Sequence, residues 1–258
     1  MGYVMSKFQE IYGVKTAYEE EGSGRDVILL HGWGQNKEMM SCIFEHLKTD
    51  FHVFSLDFPG FGESQDPPEA WGVGDYEAFL QDFIQKNSIR NPILIGHSFG
   101  CRVAIRYSAE HPGDVNKMCL TGAAGIRPKR GMDWYIRTYT YKAGKAVLKM
   151  TGQTKKLEEL QNRSGSEDYR NAKGVMRPTF VKVVNEDLTP YLKQIRCPVL
   201  LVWGEYDTAA PLWMGKKMEE EIPDAGLAVF EGDDHWAYWH QADRFNRVLD
   251  VFLKGDKA

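Results

Sequence analysis

Near the middle of the chain, Gly96-His97-Ser98-Phe99-Gly100 sets a hydroxyl between two glycines, where the apolar run Pro92 to Ile95 gives way to a helix-periodic stretch starting at Cys101. A strand that stops here and turns at once into a helix pushes the Ser98 hydroxyl out of the corner. Backbone and helix run so close at such a corner that only residues without a Cβ fit on either side. The chemistry this suits is attack on an acyl carbon. A serine hydroxyl is a poor nucleophile alone, so a base must take its proton and an acid must orient that base.

Seven histidines compete to be the base. His97 adjoins the serine, but its side chain should leave the turn in another direction, which favours a structural role. His31 precedes a glycine-rich loop and is read as its brace. His46, His52 and His111 sit in helix or strand contexts, where a packed or solvated histidine is the default. His235 differs, because Glu231-Gly232-Asp233-Asp234-His235 follows an apolar strand ending at Phe230. His240 is the reserve. For the acid, Asp207 lies just beyond another apolar strand, in Trp203-Gly204-Glu205-Tyr206-Asp207. Glu205 reads as an exposed loop carboxylate, and Asp233 and Asp234 are too near His235 in sequence to reach its far ring nitrogen comfortably. Acyl transfer also needs donors for an oxyanion. One is expected to be the backbone N–H of Phe99, at a helix N-terminus where anions are favoured. The other is assigned to the N–H of Trp33 in His31-Gly32-Trp33-Gly34.

These residues need a frame that brings strand ends together. Asp26 to Leu30, Phe51 to Leu56, Ile93 to Ile95 and Val115 to Leu120 are short apolar runs of the kind buried on both faces of a parallel sheet. Helical stretches at Lys37 to Lys48, Tyr76 to Lys86 and Cys101 to Glu110 alternate with them, which means βαβ units with right-handed crossovers. An opening hairpin is expected over residues 11–22, a weakly alternating stretch that ends in the turn cluster Glu21-Gly22-Ser23-Gly24. The rhythm breaks from about Ala124 to Leu188, where helical, Lys/Arg- and aromatic-rich sequence replaces strands. Strands resume at Pro198 to Trp203 and Gly226 to Phe230, and an amphipathic helix from about Asp243 to Leu253 closes the chain.

With 258 residues, 43% hydrophobic and 26% charged, the chain can bury a large core and is not disordered in character. Its net charge of −4 argues against a nucleic-acid binder. The charge is uneven: Gly125 to Lys173 holds 12 Lys/Arg against 5 Asp/Glu, a local +7 against −11 elsewhere. The four cysteines are far apart with no C-x-x-C pair, which suits a reduced, cytoplasmic protein and points to neither a zinc nor a dithiol site. No cofactor or metal is called for. No run approaches a membrane span, and Met1-Gly2-Tyr3-Val4-Met5-Ser6 fits the myristoylation pattern only formally.

From about Asp26 to Phe252 the chain resembles the α/β-hydrolase fold family. The matching pieces are His31-Gly32-Trp33-Gly34, Asp57-Phe58-Pro59-Gly60-Phe61-Gly62-Glu63-Ser64, the Ser98 corner, Pro198 to Asp207 with Pro211, and Gly232 to His235. The order Ser98, Asp207, His235 is the one associated with that family. The resemblance implies a mostly parallel eight-stranded sheet with helices on both faces and a helical cap inserted after the sixth strand. It also implies a core of residues 1–123 and 189–258, a cap of residues 124–188, and triad and oxyanion roles for Ser98, Asp207, His235, Trp33 and Phe99. Serine at the corner sets the chain apart from haloalkane dehalogenases and epoxide hydrolases, which have aspartate there. Where many relatives continue with a second glycine, this chain has Cys101.

The expected reaction is hydrolysis of a small-molecule carboxylic ester through an acyl-enzyme, with thioester, C–C bond and N-terminal proline hydrolysis as rivals within the fold. A ligand-binding member without catalysis is the alternative from another class. Gly60-Phe61-Gly62 lacks the third glycine of a dinucleotide fingerprint, Gln65 standing in its place. Trp134, Tyr139 and Trp236 are candidate substrate contacts. The basic cap admits two readings, a site for anionic or aromatic esters or a solvated helix surface over the cap's own aromatic core.

Overall fold

The computed structural model describes residues 5–127, 132–163 and 166–255. Its frame is one sheet of eight strands: β1 (Lys7–Ile11), β2 (Val14–Gly22), β3 (Asp26–Leu30), β4 (His52–Leu56), β5 (Ile93–His97), β6 (Lys117–Thr121), β7 (Val199–Gly204) and β8 (Ala225–Phe230). They lie in the order β1-β2-β4-β3-β5-β6-β7-β8. The β1/β2 and β2/β4 pairings are antiparallel and the rest parallel.

Period-two alternation assigns the strand side chains to two cores. In β3, Ile28 and Leu30 point to one face, where Phe83, Val103 and Met218 pack. Val27 and Leu29 point to the other, with Phe44, Phe245 and Leu249. The helices doing this covering are α1 (Ser41–Leu47), α2 (Val73–Lys86), α3 (Phe99–Glu110), α9 (Leu212–Glu221) and α11 (Ala242–Lys254), with the short α10 (Ala237–His240). Between β6 and β7 come α4 (Met132–Met150), α5 (Thr154–Arg163), α6 (Glu167–Asn171), α7 (Met176–Asn185) and α8 (Thr189–Leu192). The expected eight-stranded α/β sheet with helices on both faces is therefore the architecture observed.

Two local readings are corrected. The opening hairpin starts at Lys7 rather than residue 11 and turns at Tyr12-Gly13, with β2 running to Gly22. Tyr12 and Gly13 both have positive φ, 48° and 73°, the geometry a two-residue hairpin turn needs. Tyrosine is an unusual first residue there, so the signal was weak. Helix α9 was not anticipated, since Met-Gly-Lys-Lys-Met-Glu-Glu-Glu shows little apolar period; Met214 and Met218 nonetheless bury under it.

The strand order reverses direction at β3, with β4 on one side and β5 on the other. Loops leaving the carboxyl ends of β3 and β5 thus diverge and leave a crevice, the place where open α/β sheets bind ligands. His31 to Gly34 and Ser98 lie at its two edges.

Candidate active site

Ser98 sits between β5 and α3 with φ 49° and ψ −103°, a conformation that L-residues rarely adopt. It is held there by its N–H to Thr121 O (3.0 Å) and its carbonyl to Ala124 N–H (3.3 Å). The glycines act as expected: a Cβ on Gly96 would meet Cys101 N at 2.9 Å, and one on Gly100 would run into the Leu30 carbonyl. Phe99 opens α3, so its N–H belongs to the first turn, where amides lack intrahelical acceptors and anions are favoured. Its ring is buried against Tyr76 (4.9 Å) and Phe58 (5.1 Å), which fixes the amide above it.

His235 Nδ1 and Asp207 Oδ2 are 2.7 Å apart, although 28 residues separate them in the chain. Asp207 is buried, and its second oxygen accepts the N–H groups of Ala209 (2.9 Å) and Ala210 (2.7 Å). The Trp203 indole pins the same loop by donating to Ala210 O at 2.6 Å. With Nδ1–H given to the carboxylate, the other ring nitrogen of His235 carries the lone pair. Gly122 lies against the pair, its Cβ position 2.9 Å from His235 Nδ1. Because Ser98 bonds the neighbouring Thr121, the serine corner and the histidine loop meet at this point.

The remaining histidines have other tasks. His31 is fully buried; its Nδ1 pairs with Gly32 O (2.7 Å) while its Nε2 accepts the Phe58 N–H (3.0 Å). Burial pushes its pKa down to about 4, so it stays neutral and braces the loops after β3 and β4. His46, His52 and His111 pair with Asp250, Asp26 and Glu77 at the edges of the fold. His240, the reserve base, is half exposed and bonds Asp233 through Nδ1 at 2.8 Å. His97 is buried with Nδ1 on Thr121 O (3.2 Å), its ring 4.7 Å from that of His235. Burial, and then the charge of His235, hold His97 well below the usual imidazole range.

The side of the crevice that meets α7 is aromatic. Trp33 contacts Phe61 (4.9 Å), Phe99 (5.4 Å) and, from α7, Phe180 (5.1 Å). Tyr169, Ala172, Met176 and Phe180 form a small core that rests on Trp33 and Phe61. Asp168 on α6 still reaches solvent, yet partial burial and then Glu167 raise its carboxyl pKa, while the nearby His235 opposes the rise. Trp236 packs on His97 (5.2 Å) and lines an open groove of about 660 Å³ with Met39, Gly60 and Phe61. Tyr139 is 65% exposed, so the structure does not place it as a wall of an enclosed pocket. The side chain of Trp134 lies outside the described residues. Lys149, Lys155, Lys156 and Lys173, basic residues of the inserted segment, are exposed.

A family model for the alpha/beta hydrolase fold matches residues 27–242. The chain belongs to the α/β-hydrolase fold family. Among curated relatives of this hydrolase is a 2-hydroxy-6-oxo-6-phenylhexa-2,4-dienoate hydrolase of Comamonas testosteroni, 28% identical, with 92% of this chain and 90% of the relative covered. The AB hydrolase superfamily protein YisY of Bacillus subtilis is 29% identical over 91% of this chain and 93% of its own. Among solved structures, an esterase from Exiguobacterium antarcticum superposes with a TM-score of 0.76 at 23% identity, covering 97% of this chain and all of that one. A meta-cleavage product hydrolase from Pseudomonas fluorescens IP01 gives 0.74 at 23%, covering 96% and 97%.

Two groups in this hydrolase escape a reading by motif. Lys37, 3% exposed, donates through its backbone N–H to Asp57 Oδ1 (2.7 Å) and through Nζ to Asp57 Oδ2 (3.1 Å) and Glu63 Oε2 (2.6 Å). Burial would lower its pKa, but the bonds to Glu63 and Asp57 outweigh that and raise it. This pair ties the loop after β3 to the loop after β4, and nothing in the spacing of 37 and 57 announces it. Asp233 is the second: it accepts His240, Gln241 Nε2 (2.8 Å) and the Asp234 N–H (2.9 Å), shaping the turn that carries His235. Asp233, Asp234 and His240 also form a group with metal-ligand types, but the atoms of Asp233 and His240 are spent on this loop.

Proposed function

We propose that this protein is a serine hydrolase that cleaves carboxylic esters of small, uncharged molecules, with residues 124–188 as a cap over the site. The observation that carries the reading is the 2.7 Å His235–Asp207 bond, which lies against Gly122, the residue after the Thr121 whose carbonyl accepts the Ser98 N–H. In this mechanism Ser98 Oγ attacks the carbonyl carbon as its proton passes to His235 Nε2, and the carbonyl π pair becomes the oxyanion. The N–H groups of Trp33 and Phe99 receive that charge. Collapse expels the alcohol, which takes the proton from His235 and leaves an acyl-Ser98. Water, deprotonated by His235, then attacks the acyl carbon and restores the serine. Asp207 keeps His235 in the tautomer that accepts at Nε2 and stabilises the imidazolium in between.

A second reading is hydrolysis of a C–C bond in a dienoic acid, which the name of the Comamonas relative supports. Such a substrate carries a carboxylate. Asp168 on α6, a carboxylate near enough for its charge to interact with that of His235, would disfavour such an anion, which supports neutral esters. The deciding experiment gives the wild type and Ser98→Ala a fluorophosphonate probe, a chain-length series of p-nitrophenyl esters, and a 2-hydroxy-6-oxo-dienoate. Labelling and ester turnover by the wild type alone are expected, with slower or no dienoate cleavage. Dienoate turnover exceeding that of every ester selects the second reading, and labelling of both proteins alike removes the nucleophile.

A further inference from the structure

Helix α4 faces the wrong way for a solvated helix. Its inner side is tied down by Tyr141, whose hydroxyl is 2.8 Å from that of Tyr169, and by Gly144, whose Cβ position lies 3.6 Å from Leu160. The opposite side presents Tyr139, Ala143, Ala146, Val147 and Met150, all exposed, Val147 at 57% and Met150 at 88%. At the helical repeat these five fall within an arc of about 100°, a continuous apolar stripe nearly three turns long. Lys149 borders the stripe, and Lys155 and Lys156, both exposed, follow at the start of α5. The segment around them is the +7 region in a chain whose remainder is −11.

We propose that this face of α4 is a contact surface for an anionic lipid interface, with the helix lying in the headgroup plane. An apolar stripe edged by lysines is what such a surface recognises: Val147 and Met150 enter the acyl boundary while the ammonium groups meet lipid phosphates. No described helix is long and apolar enough to cross a membrane, so α4 lies on the surface rather than spanning it. A second copy of this chain fits less well. A two-fold contact would set the same lysines against each other, and like charges oppose it.

Sedimentation of the full chain with vesicles of phosphatidylcholine alone, or mixed with phosphatidylserine, tests this. Binding to the mixed vesicles only, reversed by high salt, is expected. Neutralising Lys149, Lys155 and Lys156 to glutamine weakens it by roughly fivefold per residue. Val147→Asp with Met150→Asp weakens it by about tenfold or more, with the thermal melt unchanged because both side chains are exposed. Equal binding to both vesicle types, no binding, or binding indifferent to these variants overturns the proposal. So does a wild-type dimer in sedimentation velocity that the double variant abolishes, which reassigns the face to self-association.

Discussion

The loops at the carboxyl edge of the sheet and the cap helices above them are held by different forces. On the sheet edge the loops after β4, β7 and β8 are each organised by a buried carboxylate with its oxygens engaged. Asp57 takes Lys37 twice and the Glu63 N–H (2.9 Å), Asp207 takes two amides and His235, and Asp233 takes His240, Gln241 and an amide. The cap rests instead on an apolar contact, Met176 and Phe180 against Trp33 and Phe61. Its polar anchors include Glu186, which receives Arg106 Nη1 (2.6 Å) and the Val73 N–H (3.2 Å), and Thr179 Oγ1, which accepts the Trp71 N–H (3.1 Å). Directional bonds fix angles, which proton transfer and attack require to within fractions of an ångström. Apolar contact fixes volume and tolerates repacking, which suits a surface that selects substrates.

Substitutions on the two sides should therefore fail differently. The largest effect is expected from Asp207→Asn, which keeps the loop but favours the wrong His235 tautomer: kcat on esters falls about 10⁴-fold, with the fold intact by circular dichroism. A loss of under tenfold would detach Asp207 from the chemistry. Lys37→Met leaves the buried Asp57 carboxylate without its counter-charge and costs about 3–5 kcal/mol of stability in urea unfolding. Recovery in Lys37→Met/Asp57→Leu would show that the cost is the stranded charge. Stability also depends on pH through His31. Its folded pKa, about 4, lies below the unfolded 6.5, so the unfolded chain takes up a proton first as pH falls. The contribution is complete above the unfolded value and is lost between pH 6.5 and 4 at up to about 1.4 kcal/mol per pH unit, read from urea midpoints. A flat profile in that window breaks the assignment. On the cap side, Asp168→Lys is expected to leave kcat for neutral esters alone and raise kcat/KM for carboxylate-bearing esters roughly fivefold, a shift that salt should diminish.

The sheet edge was also the more legible region. Ser98, Asp207 and His235 each stand in a short pattern after an apolar strand, so local sequence exposes them. His97, the nearest histidine, could be set aside because a sharp corner sends adjacent side chains in different directions. The organisers Lys37 and Asp233 were invisible, since a buried ion pair and a loop brace are properties of tertiary placement. Asp233 was even set aside for its closeness to His235, and that closeness is what lets it shape the turn. Asp168 gave no signal at all, because only folding of α6 brings it near His235. In the cap, Lys and aromatic content announced helices but not which faces they turn outward, and α4 has the less usual arrangement.

The backbone of Ser98 carries a further implication. A non-glycine residue at φ 49° and ψ −103° stores roughly 1–3 kcal/mol of conformational energy. The loops bonded to it hold that energy in place. Glycine occupies such a conformation without steric penalty, so Ser98→Gly, inert under the proposed mechanism, should melt several degrees above the wild type. Under the proposed mechanism the resting protein is in that sense a loaded trigger, because the relaxed version has no hydroxyl to aim.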